Sequence, residues 1–135
     1  MSGTVRVKCE VLEGMLAEAR RNTTVECCGL LAGRDGVVTE LQPAANALAS
    51  ATAFEIAPAD LFRLFRWMRA AGLEHLGIYH SHPTGDNAPS PRDLEQAYYP
   101  DAAYFIISPL PDAPQAIRAF AIRDNTCAEL NVIAV

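Results

Sequence analysis

His80 and His82 stand two positions apart at the end of an apolar run, in the stretch "HSHPTGDNAPSPRD" that covers residues 80–93. In an extended strand, side chains two apart leave the same face, so the two imidazoles project together while Ser81 points away. Imidazole nitrogen suits zinc, and a catalytic zinc site needs a third protein ligand and one open position for water. Asp93 is the candidate third ligand once Pro83 and the following loop turn the chain back. Water on such a site releases its proton near neutral pH, which supplies a nucleophile for hydrolysis.

Each piece also has a plainer reading. "SPRD" is a helix start, with Ser90 as N-cap, Pro91 in the first helical position and Asp93 where a carboxylate favours the helix N-terminus. The two readings are compatible, because a capped helix start is a rigid mount for a ligand. Glu26, ahead of an apolar strand, reads by itself as a solvated edge residue. Cys27 and Cys28 read as small core hydrophobes. The 4 cysteines show no CxxC and no repeated spacing, so neither a thiol redox pair, a four-cysteine zinc knot nor a disulfide framework is expected. His75 reads as structural or surface, Asp86 in "TGDN" as a solvated turn residue, and Glu40, Glu55, Asp60 and Glu95 as ordinary surface charges.

These side chains need elements to position them. "EVLEGMLAEARR" (10–21) places Val11, Met15 and Ala19 at helical spacing, despite Gly14. "ECCGLLAGRDGVVTELQP" reads as strand, tight turn, strand, because "RDG" between apolar runs is hairpin chemistry, and Glu26 stands at its mouth. "AANALASATA" reads as a surface loop. "PADLFRLFRWMRAAG" (58–72) starts with proline, repeats Leu61, Leu64, Phe65 and Met68 on one face and stops at Gly72, which predicts a helix. "LEHLGIYHSH" predicts a strand running into the histidines, "RDLEQAYY" a short helix and "AAYFIIS" a buried strand, with "QAIRAFAIRD" and "AELNVIAV" as two more strands. The expected class is α/β: a mixed sheet flanked by helices, with antiparallel hairpins at its two ends.

Composition narrows the function classes. A chain of 135 residues, 50% apolar and 20% charged, is expected to fold as one soluble domain over 1–135 with a packed core. Net charge is −5, and no basic run interleaved with aromatics is present, so nucleic acid is not an expected partner. "MSGTVRVKCEVLEG" lacks the apolar core of a secretory signal, and no stretch is long enough to span a bilayer. A cytoplasmic protein with no membrane partner is expected; the oligomeric state is left open.

Glu26, His80-Ser81-His82-Pro83 and Ser90-x-x-Asp93, in this order and at these separations, resemble the motif of the JAMM (MPN+) zinc metallopeptidase family. "ECCGLLAG", "FEIAPADLFRLFR", "GLEHLGIYHSHP" and "DLEQAYYPDAAYFIIS" extend the resemblance over nearly the whole chain, toward the compact bacterial branch. The resemblance implies a cytidine-deaminase-like fold, Zn2+ held by His80, His82 and Asp93, Glu26 as general base toward the metal-activated water, and Ser90 as donor to the oxyanion. A cytidine deaminase itself is disfavoured, because its "HxE" and "PCxxC" are absent. The short segment after Asp93 and the brief "PLPDAPQ" turn leave little room for the insertions by which larger relatives select ubiquitin linkages. The implied substrate is the C-terminal adduct of a ubiquitin-like sulfur-carrier protein, with release of cysteine as one form, its tail captured by strand addition to a sheet edge near the zinc. Two alternatives stand beside it: a zinc amide hydrolase acting on small peptides or metabolites, and a non-catalytic MPN-type scaffold.

Overall fold

The computed structural model describes residues 3–135, and among these it has seven strands and three helices. In chain order they are β1 (Thr4–Val7), α1 (Cys9–Arg21), β2 (Cys28–Arg34), β3 (Val37–Ala44), α2 (Pro58–Ala71), β4 (Glu74–Ser81), α3 (Pro91–Glu95), β5 (Ala103–Ile107), β6 (Ile117–Arg123) and β7 (Thr126–Ala134). The expected mixed α/β architecture is observed. α3 is shorter than the run "RDLEQAYY" suggests.

The sheet differs from expectation at its ends. β1 was not anticipated, because four residues give too little alternation to register as a strand. It runs parallel to β3 at Arg6 and Val7 and parallel to β7 over its whole length, so the strands close in the order β1-β3-β2-β4-β5-β6-β7. Closure pairs part of each end strand, Val37 and Val38 of β3 and Asn131 to Ala134 of β7, in what would otherwise be an open sheet with exposed edges. The β2–β3 and β6–β7 hairpins turn on Asp35-Gly36 and Asp124-Asn125, all four at positive φ, the two-residue turn whose twist matches the flanking strands.

Strand alternation divides the core. Val7, Leu31, Val38, Tyr79, Phe105, Ala119 and Leu130, one from each strand, bury one face together with Met15 and Ala19 of α1. Leu30, Ile78, Tyr104, Ile106, Phe120 and Ile122 bury the other against Leu64 and Met68 of α2. His80 follows Ile78 by two residues and so emerges on the α2 side. Gly29 permits a close approach: a Cβ there would lie 2.6 Å from the Tyr79 hydroxyl and 2.3 Å from the Gln42 carbonyl. Past it, the Tyr79 hydroxyl donates to Glu18 Oε1 at 2.6 Å, which ties α1 to the strand that carries the histidines. Among the described residues, no helix is long and apolar enough to cross a membrane.

Candidate metal centre

β4 and α3 bring three side chains to one point. His80 Nε2 lies 3.2 Å from His82 Nε2 and 3.2 Å from Asp93 Oδ1, and His82 Nε2 lies 3.1 Å from Asp93 Oδ2. Zinc bound tetrahedrally through nitrogen at its usual bond length sets neighbouring ligand atoms about 3.3 Å apart. The three observed separations are close to that edge length, and all three groups are largely buried, with His82 the most open at 13% side-chain exposure.

The hydrogen bonds around the trio say what belongs among them. His82 Nδ1–H donates to the Asp86 carbonyl at 2.7 Å, which leaves Nε2 of the neutral ring as a lone pair aimed at His80 and Asp93. A carboxylate and an imidazole lone pair in contact repel each other. A positive charge relieves that repulsion, either a proton on His82 or a divalent cation held by the set, so the donor set fits a metal. Protonation shows the same demand. Burial opposes charge at His82 but is outweighed by Asp93 and the Asp86 carbonyl, so its pKa is raised. Burial prevails at His80, whose pKa is lowered. Burial likewise opposes charge on Asp93, yet bonds from both imidazoles and the Ser90 amide hold its carboxyl well below the usual carboxylate range.

Asp93 also closes the helix start. Its N–H donates to Ser90 Oγ at 3.1 Å, and the Ser90 N–H donates to Asp93 Oδ2 at 2.9 Å, so a capping box fixes the carboxylate that faces the histidines. The Ser90 hydroxyl accepts in this box, and its own proton is free to be donated. The capping reading of "SxxD" is thus observed, and it leaves the Asp93 carboxylate facing both histidines.

Glu26 lies just ahead of β2 and is 4% exposed, not a solvated edge residue. Its Oε1 is buried and has no hydrogen-bond partner. Burial pushes its pKa up to about 7, the charges of His82 and Arg92 oppose this, and that of Asp93 adds to it. Glu26, Thr52, His82, Gly85 and Ser90 line a common cleft of about 170 Å³. A buried carboxyl beside Thr52, His82 and Ser90, with one oxygen free of partners, is suited to moving protons.

Several positioning residues have no signature in the sequence. Ser81 points away from the histidines as expected, and its Oγ accepts the Cys27 N–H at 3.0 Å. Phe54 stacks on His80 with ring centroids 4.4 Å apart. Asn46 uses its whole amide. Nδ2 donates to the carbonyls of Glu26 and Ala53 at 3.1 and 3.0 Å, and Oδ1 accepts from Leu48 and Glu55 at 3.0 and 3.1 Å. The lone asparagine in an alanine-rich loop was the one available hint. Of the remaining candidates, His75 is packed between Phe65 and Tyr99. Asp86 is exposed at its side chain while its carbonyl meets His82. Cys27 and Cys28 are buried free thiols raised by burial to about 11 and about 12, hence protonated at neutral pH.

Comparison with known proteins shows the family. The chain is similar to the CysO-cysteine peptidase of Mycobacterium bovis, 32% identical over 97% of this chain and 94% of the relative. It is also similar to the desampylase of Haloferax volcanii, 32% identical over 80% of this chain and 83% of the relative. A protein of Desulfitobacterium hafniense solved in solution has the same fold, with a TM-score of 0.86, 33% identity and coverage of 98% of this chain and 93% of the other. The family described as "Prokaryotic homologs of the JAB domain" matches residues 9–123, which takes in β2, β4, α3 and every residue of the cleft. The motif that runs from Glu26 to Asp93 is thus embedded in a family-wide likeness, and the chain belongs to the prokaryotic homologs of the JAB domain.

Proposed function

We propose that residues 1–135 act as a zinc-dependent peptidase domain that hydrolyses the amide or isopeptide bond at the C-terminus of a ubiquitin-like sulfur-carrier protein. The observation that carries this reading is the convergence of His80, His82 and Asp93 at 3.1–3.2 Å beside the unpartnered carboxylate oxygen of Glu26. His80, His82 and Asp93 would hold the metal. When bound, zinc supplies Lewis-acid polarisation of the scissile carbonyl and acidifies water toward neutrality. Glu26 takes a proton from water in the cleft and later delivers it to the departing amine, a double duty for which its buried carboxylate has one oxygen free of protein partners. The Ser90 hydroxyl, already accepting from the helix, donates to the oxygen on which charge develops.

The carrier as substrate is supported by the names of the two relatives, a peptidase of a cysteine adduct and a desampylase. Ring closure covers the sheet edge only in part, since among the described residues β1 meets β3 at Val37 and Val38 and residues 39–44 have no second strand partner, and a further edge lies close to the centre. Residues 45–47 and 55–57 pair through Ala47 N–H to the Glu55 carbonyl and Ala57 N–H to the Ala45 carbonyl. Among the described residues, Phe54 and Ile56 make no such backbone bond on their outer side. The same two residues line an apolar pocket of about 220 Å³ with Leu61, Tyr98 and Tyr99. An extended tail added along 54–56 would run past Phe54 toward His80.

Mass spectrometry of the zinc-loaded protein incubated with a carrier adduct tests the proposal. Loss of the adduct mass is expected. An intact adduct overturns the carrier reading, and cleavage of short peptides alone would move the assignment to a small-substrate amide hydrolase.

A further inference from the structure

The loop from Pro83 to Pro89 joins His82 to the helix that carries Asp93, and its composition gives it few means of holding one shape. Among the described residues, no backbone–backbone hydrogen bond ties it to another element. Asp86 Oδ1 accepts the Ala88 N–H at 3.2 Å, a turn internal to the loop. Asn87 is different. It is 4% exposed, and its Nδ2 lies 2.8 Å from the Gln115 carbonyl, 3.2 Å from that of Ala116 and 3.3 Å from that of Ile106. One amide NH2 thus meets three acceptors from β5 and from the segment leading into β6, a task that needs two donor protons on a short side chain.

The carbonyl that accepts from His82 belongs to the peptide unit between Asp86 and Asn87, and a peptide unit is planar. Fixing Asn87 therefore fixes the direction of that carbonyl. We propose that Asn87 is a positioning residue for His82: by gripping the β5–β6 carbonyls it aims the Asp86 carbonyl at Nδ1 and keeps the His82 Nε2 lone pair facing His80 and Asp93. The effect on metal binding rests on the reading of His82 as a ligand, whereas the effect on the ring's tautomer does not. His80 has no such support, since its Nδ1 is buried without a partner and its ring is oriented by the Phe54 stack.

Two measurements on the full chain test this with Asn87→Ala. Nitrogen-15 NMR of the metal-free protein, at a pH alkaline enough to hold imidazole neutral, should show His82 as the Nδ1–H tautomer in the wild type and as a mixture in the variant. Zinc affinity, read by competition with a chelator, should fall about 10- to 100-fold, the usual effect of losing such a supporting contact. A residue that merely stabilised the loop would lower the melting temperature and leave both readings of the folded protein unchanged. An unchanged His82 tautomer, or an affinity equal to that of a zinc-binding wild type, overturns the proposal. If Asn87→Ala does not fold, Asn87→Ser, which keeps one donor, is read in the same two ways. A wild type that binds no zinc would remove the metal reading, and the tautomer comparison would still decide the role of Asn87.

Discussion

The Ser81 hydroxyl accepts the Cys27 N–H at 3.0 Å while the Ser81 N–H donates to the Cys27 carbonyl at 3.0 Å, so the residue between the two histidines holds the neighbour of Glu26 at two points. The contact extends the β2–β4 ladder one step beyond the Cys28–His80 pair and fixes the approach of Glu26 to the cleft. Ser81→Ala leaves the Cys27 N–H buried and unpaired. The expected loss of stability is about 1–3 kcal/mol, measurable by denaturant unfolding.

Glu26→Gln should retain zinc and lose turnover by roughly 10²- to 10⁴-fold, because an amide cannot accept the proton. Metal content and kcat measured on one preparation check both parts. Turnover at the wild-type rate would remove Glu26 from the mechanism.

The raised pKa of Glu26 also predicts a pH dependence in the metal-free protein. The folded chain keeps a proton that the unfolded chain releases as pH rises from 4.5 to about 7. The stabilising contribution is therefore fully present below 4.5 and is lost as pH rises through about 7. The displacement corresponds to roughly 3 kcal/mol. Unfolding curves across this window should show the wild type losing stability relative to Glu26→Gln, and parallel curves would contradict the burial argument.

Asn46→Ala should free the loop at 45–57 without unfolding the ring of strands. The Leu48 and Glu55 amides, which donate to Asn46 Oδ1, should exchange with solvent faster, while core amides such as those of β5 keep their protection. Hydrogen-exchange NMR reads this directly. Unchanged protection at Leu48 and Glu55 would show that the loop is held by other contacts.

The convergence of His80, His82 and Asp93 was legible because each part is local. Strand alternation aligns the histidines, and a capping pattern marks the helix start that presents the carboxylate. The hairpins and α2 were legible for the same reason, through Asp35-Gly36 and through Pro58 and Gly72. The supports were hidden because their partners are remote in the chain: Asn46 meets the Glu26 carbonyl, and Asn87 meets carbonyls of Ile106, Gln115 and Ala116. Ring closure was hidden too, since the four residues of β1 acquire meaning only beside β3 and β7. The burial of Glu26 follows from the loop that folds over it, which no pattern in "NTTVECC" discloses.

Glu18 offers a test on the α1 side of the sheet. Burial raises its pKa, with the Tyr79 hydroxyl and Arg21 opposing. Its contribution to stability is thus present below the unfolded-state pKa and lost as pH rises through the raised folded value. Glu18→Gln retains an acceptor for Tyr79 and does not ionise. Thermal unfolding at neutral pH should find the variant at least as stable as the wild type, and a large loss there would show that the ionised carboxylate stabilises the fold.

X-ray absorption at the zinc edge of the metal-loaded protein reaches the central claim most directly. One zinc per chain is expected, in a nitrogen and oxygen shell containing two imidazoles and no sulfur, with the metal lost in His82→Ala after dialysis. Sulfur scattering from Cys27 or Cys28, or full zinc occupancy in His82→Ala, would contradict the assignment of His80, His82 and Asp93 as the metal ligands.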